Sequence, residues 1–296
     1  MKKKALLVGI NKYEGAPLRG CVNDVTDMAE FLVGVSGFKK GDIRLLCDKR
    51  ATQKEMFWRL CALVESLEPG DVGVFHYSGH GAQIASRDGA GEVDGLDELT
   101  CCVDFDWDNP GSYLTDNNYK DVFNRLKPGV KFLWLSDSCH SGDLTREMGG
   151  NKCEVDGVEI AHGVPRFIPP PVDIFWRTEG FKECCLECAT NGSKMLRSTK
   201  INGAVHGITE LNLVYISGCQ DYQTSADAVF NKRFNGAMTR SFLDTVKKFG
   251  VDKTIRELHF NMNDALNRQR FTQRSDLEMS AALAASNITL KSLLRS

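Results

Sequence analysis

The stretch Phe132-Leu133-Trp134-Leu135-Ser136-Asp137-Ser138-Cys139-His140-Ser141-Gly142 constrains this chain more than any other. Four apolar residues run into a polar cluster that holds one cysteine and stops at glycine. That is the pattern of a buried strand delivering a side chain at its carboxyl end, the edge at which open α/β sheets bind ligands. An earlier stretch, Asp71-Val72-Gly73-Val74-Phe75-His76-Tyr77-Ser78-Gly79-His80-Gly81, repeats the arrangement with a histidine between two glycines. Side by side in one parallel sheet, the two strands would set Cys139 and His80 across a crevice, as a nucleophile and its base.

The rest of the chain supports such a sheet. Val25, Met28, Ala29, Leu32 and Val33 fall at helical spacing behind Asn23 or Asp24, either of which can cap the helix. Residues 43–47 read as a strand, and Thr52 opens a helix through Met56, Leu60, Leu63, Val64 and Leu67 before Pro69-Gly70 stops it. Strands alternating with helices predict a parallel α/β sheet covered on both faces. The acidic, glycine-rich excursion from Arg87 to Asn109 reads as a solvated loop, and Thr115 starts a helix carrying Val122, Phe123 and Leu126. From Asp143 to about Glu210 the periodicity fails, and a patternless segment that long signals function or mobility. Residues 211–217 return to a strand, with amphipathic helices over 236–248 and 252–266. The expected organisation is one domain over 1–296: a large portion, 1–143, an irregular linker, 144–210, and a small portion, 211–296.

Composition narrows the function. Of 296 residues 42% are hydrophobic and 26% charged, and the formal net charge is -2. A large core is affordable in chain length, and no bulk charge draws the chain to nucleic acid or an anionic membrane. Lys2-Lys3-Lys4 precede only six apolar or small residues, Ala5 to Ile10, too few for a secretory or membrane segment. The expected location is therefore cytoplasmic, where the eleven cysteines remain thiols and Cys47, Cys61 and Cys219 serve as small hydrophobes.

A free thiol, with a pKa of about 8.5, is only a few per cent ionised at neutral pH, so Cys139 needs a base. His140 is next in sequence, but adjacent residues on an extended strand point to opposite faces. His76 lies inside its strand and reads as a core histidine. His80 is the better partner. Gly79 and Gly81 leave backbone N–H groups open to form an oxyanion hole with that of Cys139.

With these residues stand Leu18-Arg19-Gly20-Cys21-Val22-Asn23-Asp24, Asp94-Gly95-Leu96-Asp97-Glu98, Arg166-Phe167-Ile168-Pro169-Pro170-Pro171 and residues 217–227, Ser-Gly-Cys-Gln-Asp-Tyr-Gln-Thr-Ser-Ala-Asp. In their order along the chain they resemble the metacaspases, caspase-like cysteine peptidases that cleave after arginine or lysine. The resemblance implies a three-layer caspase-like sandwich whose mostly parallel central sheet is flanked by helices. It implies Cys139 as nucleophile and His80 as general base, with Gly81 and Cys139 supplying the oxyanion hole. It gives the wall of the P1 pocket to Cys21, Asp24, Ser78 and Asp137, and two carboxylates in a partly desolvated pocket favour a basic side chain on physical grounds too. Asp221 and Asp227 follow a strand end, where lining the cleft and capping a helix are equal alternatives.

No cofactor is required by this chemistry, and calcium is the one ion the resemblance brings. Its matching set is Asp94, Asp97, Asp116 and Asp143, with amides at Asn117 and Asn118 and Arg146 where further carboxylates would be expected; an acidic solvated loop is the alternative. The family's N-terminal extension is not expected, because the first strand begins near Met1. Self-cleavage between large and small portions is implied after one of Arg146, Lys152, Arg166, Arg177, Lys182, Lys194, Arg197 or Lys200, with residues 194–200 favoured on composition. Cys153 and the group Cys184, Cys185 and Cys188 hold a single C-x-x-C pair, weak for zinc, and read as a reduced linker. The expected enzyme acts as a monomer on proteins or peptides, not on nucleic acid or membranes. The rival is a silent scaffold of the same fold whose cleft binds basic peptides.

Overall fold

A computed structural model describes residues 1–85, 96–139, 152–155, 157–171, 212–220 and 223–295. In chain order its elements are β1 (Lys3–Gly9), α1 (Cys21–Gly34), β2 (Ile43–Cys47), α2 (Gln53–Glu65), β3 (Val72–Ser78), β4 (Gly81–Ala85), β5 (Leu96–Cys101), β6 (Tyr113–Thr115), α3 (Asp116–Phe123) and β7 (Lys131–Asp137). Then follow β8 (Lys152–Val155), β9 (Val158–Pro165), β10 (Asn212–Ser217), β11 (Ala226–Phe230), β12 (Arg233–Gly236), α4 (Ala237–Phe249), α5 (Ile255–Arg268), β13 (Leu277–Met279), α6 (Ala281–Ala285) and α7 (Leu290–Leu294).

Strand alternation builds the layers. The six-stranded central sheet has the order β13-β10-β7-β3-β1-β2, parallel except for the antiparallel edge strand β13. Every second side chain of a strand faces the same way. Leu6, Val8, Phe75, Tyr77, Phe132, Trp134, Leu213 and Tyr215 share one core with Met56, Leu60 and Val64 of α2 and Tyr119, Val122 and Phe123 of α3. Their neighbours Ala5, Leu7, Val72, Val74, Leu133, Leu135, Val214 and Ile216 share the other with residues of α1, α4 and α5. The result is the α/β sandwich expected from the strand and helix pattern, with β3 and β7 at its centre. Ser78 pairs with Asp137 in their parallel register, so the two strands end level.

Three local expectations are corrected. Neither Asn23 nor Asp24 caps α1: Gly20 holds the N-cap position, and Asn11 Oδ1 accepts from the N–H groups of Cys21 and Val22 instead. A cap supplied from ten residues upstream is invisible to a local rule. The acidic excursion is not all solvated loop, since β4, β5 and β6 form a three-stranded sheet with Leu99 and Cys101 fully buried. The stretch 144–210 is not irregular throughout, because β8 and β9 make a hairpin in a second sheet ordered β12-β11-β9-β8. Alternation was present there, with Lys152 and Glu154 exposed and Cys153 and Val155 half-buried, but four residues are too few to stand out. The favoured run 194–200 and the group Cys184, Cys185 and Cys188 lie outside the described residues. Among the described residues no helix is long and apolar enough to cross a membrane.

Leu135 is fully buried between the central strands and the helices on its face. Leu135→Ala should lower the unfolding free energy by about 2–5 kcal/mol, the range for deleting a core leucine side chain. A lower denaturant midpoint with an unchanged slope would verify this.

Candidate active site

The chain leaves β3 at Ser78 and presents His80 two residues later, where tyrosine hydroxyls grip its backbone. His80 N–H donates to Tyr13 Oη at 3.0 Å, and Tyr77 Oη donates to the His80 carbonyl at 2.7 Å. The two hydroxyls lie 3.0 Å apart, and the Tyr13 ring stands edge-on to the imidazole at 4.7 Å. His80 Nε2 is 2.8 Å from the Ala16 carbonyl. That partner accepts only, so it assigns the proton to Nε2 and leaves the lone pair on Nδ1, which is buried without a hydrogen bond. Burial pushes the His80 pKa down to about 4. The Arg166 guanidinium acts in the same direction, against the Ala16 carbonyl and the Arg166 backbone. At neutral pH the ring is an uncharged base.

Cys139 lies two residues beyond the end of β7 and is fully buried against Phe167 and Cys219. Its Sγ is 3.6 Å from the Ser225 carbonyl. Cys219 packs in the same buried apolar cluster, beside Cys139. The Cys139 sulfur beside it and its own burial push its thiol pKa well up, and its Sγ donates to the Gln223 carbonyl at 3.1 Å.

Between these groups and α4 lies a buried acidic pocket. Asp24, Asp137, Asp227 and Ser78 are almost wholly shielded from solvent, and all meet one side chain, Arg166. Its Nη2 bonds Asp24 Oδ2 at 2.8 Å and Asp227 Oδ1 at 2.9 Å. Its Nη1 donates to Ser78 Oγ at 2.8 Å and the Asp137 carbonyl at 3.1 Å, and lies 3.3 Å from Asp137 Oδ1. The carboxylates are held independently. Asp24 accepts from Gly236 N–H and Asn235 Nδ2, Asp137 from Thr239 N–H and Ser225 Oγ, and Asp227 from the N–H groups of Arg19 and Gly20. Gly236 and Thr239 form the first turn of α4, whose positive end stabilises negative charge. A Cβ on Gly236 would collide with Asp137 and Arg166, so the close approach requires glycine. Burial pushes the Asp24 pKa up to about 6 despite the opposing pull of Arg166. Burial likewise pushes the Cys21 thiol up, which makes it a neutral wall beside the charges.

The backbone of Arg166 is held as firmly as its side chain. Its carbonyl accepts from Gly81 N–H at 3.0 Å and Cys139 N–H at 3.4 Å. Two N–H groups aimed at one carbonyl oxygen beside a cysteine are the geometry of an oxyanion hole. Gly79 N–H takes no part, because it is engaged by the Asp137 carbonyl at 3.4 Å.

The structure thus brings together His80, Cys139, Gly81, Cys21, Asp24, Ser78 and Asp137. Asp227 joins them from strand β11 and not as a helix cap. Tyr13, Tyr77, the Ala16 carbonyl, Ser225 and the central position of Arg166 were missed; a tyrosine beside His76 at the polar end of β3 was the available signal for Tyr77. His76 is buried with Nε2 3.1 Å from Thr239 Oγ1, and burial pushes its pKa down to about 4. His140, Asp221, Asp94 and Asp143 lie outside the described residues. Asp97 on β5 and Asp116 at the start of α3 come to one end of the small sheet, where Leu99 pairs with Thr115. Among the described residues no group of three or more histidine, cysteine or acidic side chains could hold a metal. Asn118 has a structural task as the capping-box partner of Thr115.

The profile of the metacaspase, peptidase C14 domain matches residues 3–146. Metacaspase-1 of Scheffersomyces stipitis is 33% identical over 94% of this chain and 71% of its own. The chain belongs to the metacaspase family. Metacaspase-1 of Meyerozyma guilliermondii is 32% identical over 94% of this metacaspase and 70% of its own length. Metacaspase-4 of Arabidopsis thaliana is 42% identical over 50% of this chain and 35% of its own. In fold, a crystallised protein from Geobacter sulfurreducens matches at a TM-score of 0.63, with 24% identity, over 95% of this chain and 94% of the other. This metacaspase is accordingly a cysteine-type peptidase of the C14 family on a caspase-like α/β fold.

Tyr13→Phe removes the acceptor of the buried His80 N–H. It should lower stability by about 1–3 kcal/mol, the cost of an unsatisfied buried donor, and reduce kcat more than it raises KM. Chemical denaturation and steady-state peptide hydrolysis would check both.

Proposed function

We propose that this metacaspase is an endopeptidase that cleaves after arginine or lysine through a Cys139–His80 dyad. The observation that carries the reading is a basic side chain, Arg166, lodged in the acidic pocket while its carbonyl oxygen meets the N–H groups of Gly81 and Cys139. A guanidinium suits paired carboxylates by charge and by its planar fork of donors, whereas an acidic P1 side chain would face three like charges.

In this reading His80 Nδ1 takes the Cys139 proton as the sulfur attacks the carbonyl carbon of the P1 residue. The developing oxyanion stays with Gly81 and Cys139 N–H. The imidazolium then gives the proton to the leaving amine as the carbon–nitrogen bond breaks, leaving a thioester on Cys139. Water, deprotonated by the same histidine, hydrolyses the thioester and frees the thiol. The Ala16 carbonyl holds Nε2–H throughout, so that Nδ1 keeps facing the reaction. No step is routed through a metal. Calcium belongs to this proposal only as a structural ion to which Asp97 and Asp116 would contribute oxygens, with Asp94 and Asp143. The same reading makes the protein a cytoplasmic monomer acting on proteins or peptides.

The test is hydrolysis of fluorogenic peptides ending in Arg, Lys or Asp, with calcium and with chelator, by wild type and Cys139→Ala. Cleavage after Arg and Lys that vanishes in the variant is the expected result. Equal activity of the variant overturns the dyad, cleavage after Asp overturns the pocket, and a wild type that binds the Arg peptide without cutting it makes the protein a scaffold. Asp24→Asn should lower kcat/KM for an Arg peptide by about 10- to 100-fold, the scale of one lost buried charge contact.

The pH profile follows from the same groups. Below about pH 6 Asp24 takes up a proton and the pocket loses one negative charge. KM for an Arg peptide should therefore rise as pH falls through that value. His80, held near 4, remains an uncharged base over the same interval, so the acid limb of kcat/KM should lie near pH 6. Asp24→Asn should flatten it.

A further inference from the structure

The segment between α5 and β13 sends one side chain, Gln273, beneath the acidic pocket, where it is almost wholly buried. The segment is held on both sides of that residue. Gln223 Nε2 donates to the Thr272 carbonyl and Gln223 Oε1 accepts from Arg274 N–H, each at 2.8 Å, while Ser275 Oγ donates to the Ser217 carbonyl at 2.6 Å. Two backbone partners then fix which way the Gln273 amide faces. Its Oε1 accepts from Ala226 N–H at 2.9 Å, a group that only donates, and its Nε2 donates to the Gly218 carbonyl at 2.8 Å, a group that only accepts. The second hydrogen of Nε2 is left for Ser225 Oγ at 3.3 Å. That contact gives the chain a direction. A serine hydroxyl has one proton, and with Gln273 donating into its lone pair the proton goes to Asp137 Oδ1, 2.6 Å away. The same Oδ1 lies 3.3 Å from Arg166 Nη1. Bracing a loop needs the two backbone contacts, whereas the third decides where Ser225 points its hydrogen. Glutamate has the same reach but, as a carboxylate, no hydrogen to give.

We infer that Gln273 is a positioning residue of the P1 pocket, acting through the Ser225 hydroxyl on Asp137. The inference rests on the peptidase reading above and adds to that site a residue from outside its strands. A neutral donor stabilises a carboxylate without placing a cation where the substrate's must go. Turned the other way, the Ser225 hydroxyl would set a lone pair against Asp137 Oδ1, two acceptors face to face. Gln273 excludes that arrangement. No proton is transferred: the chain orients dipoles, and Ser225 keeps its hydrogen throughout. Ser225 meets the pocket's occupant through its backbone too, since its carbonyl accepts from Arg166 N–H at 2.9 Å and lies 3.6 Å from Cys139 Sγ. Fixing this one residue thus sets both the wall of the pocket and the acceptor beside the nucleophile.

The experiment is a double-mutant cycle on the full-length protein: Gln273→Met, Ser225→Ala and the two together. It is read as kcat and KM for the fluorogenic peptide Val-Pro-Arg-aminomethylcoumarin at neutral pH. Methionine keeps the length of the side chain and removes both amide functions. Each single variant should raise KM about 5- to 10-fold with kcat within about twofold of wild type, the scale of one hydrogen bond to a charged group. The double variant should fall short of the product of the two penalties by about 5-fold, because the glutamine has lost the hydroxyl it acts through. A glutamine that only braced the loop would act equally on either background, so penalties that multiply in full overturn the inference. So does a kcat that falls while KM holds. If Gln273→Met does not fold, as judged by its circular dichroism spectrum, Ser225→Ala decides alone, and an unchanged KM there overturns the inference. A wild type that cuts the peptide while Gln273→Met cuts it equally well overturns this inference and leaves the peptidase reading standing. A wild type that leaves the peptide uncut removes both.

Discussion

A guanidinium with no solvent contact, surrounded by Asp24, Asp137 and Asp227, organises the active edge of this protein. The three acids arrive from α1, from the end of β7 and from β11, elements far apart in sequence. Buried carboxylates of one sign repel each other and lose hydration, and only a cation with matched donors offsets both penalties. The first turn of α4 supplies a second, weaker positive influence through Gly236 and Thr239. The fold thus keeps a site whose stability depends on being filled by a basic group. Removing the cation alone should be worse than replacing the whole cluster with apolar residues, because half of a buried ion network is what costs most.

Around that pocket the work is divided between backbone and side chains. The level ends of β3 and β7, together with the tyrosine-held backbone at His80, bring Gly81 N–H and Cys139 N–H to one oxygen. The imidazole depends instead on Tyr13, Tyr77 and the Ala16 carbonyl, all of which act on it from outside β7. Dipoles fixed before the substrate arrives need no reorganisation during reaction, which is why such donors serve well in a dry site.

The strands and the residues they deliver were legible because burial on both faces writes an unbroken apolar run that ends where the chain leaves the sheet. His80 and Cys139 stand at such ends. The four-residue strand β8 and the hairpin it makes with β9 were lost among glycines, prolines and cysteines, and the position of Arg166 was lost with them. Nothing local marks that arginine: it precedes Phe167 and a run of prolines, and its partners lie 142, 29 and 61 residues away. Asp227 was ambiguous for a similar reason, since a carboxylate after a strand and before a helix caps as readily as it lines a cleft. Asp24 looked like a cap because the true acceptor, Asn11, sits across a loop that short-range rules do not span.

In the reading proposed above, the inward-facing arginine also changes what affinity means for this enzyme. A group tethered to its own binding site competes as though present at an effective concentration on the order of millimolar. An incoming chain with intrinsically micromolar affinity would meet a pocket open only a small fraction of the time, and its apparent dissociation constant would rise by the inverse of that fraction. Selectivity then comes from abundance and length as well as from sequence. A brief encounter with a short peptide is outcompeted, while a long flexible segment that can also add a strand along β11 has more with which to displace β9. In that reading, the arginine that fills the pocket sets a threshold that any basic substrate must cross.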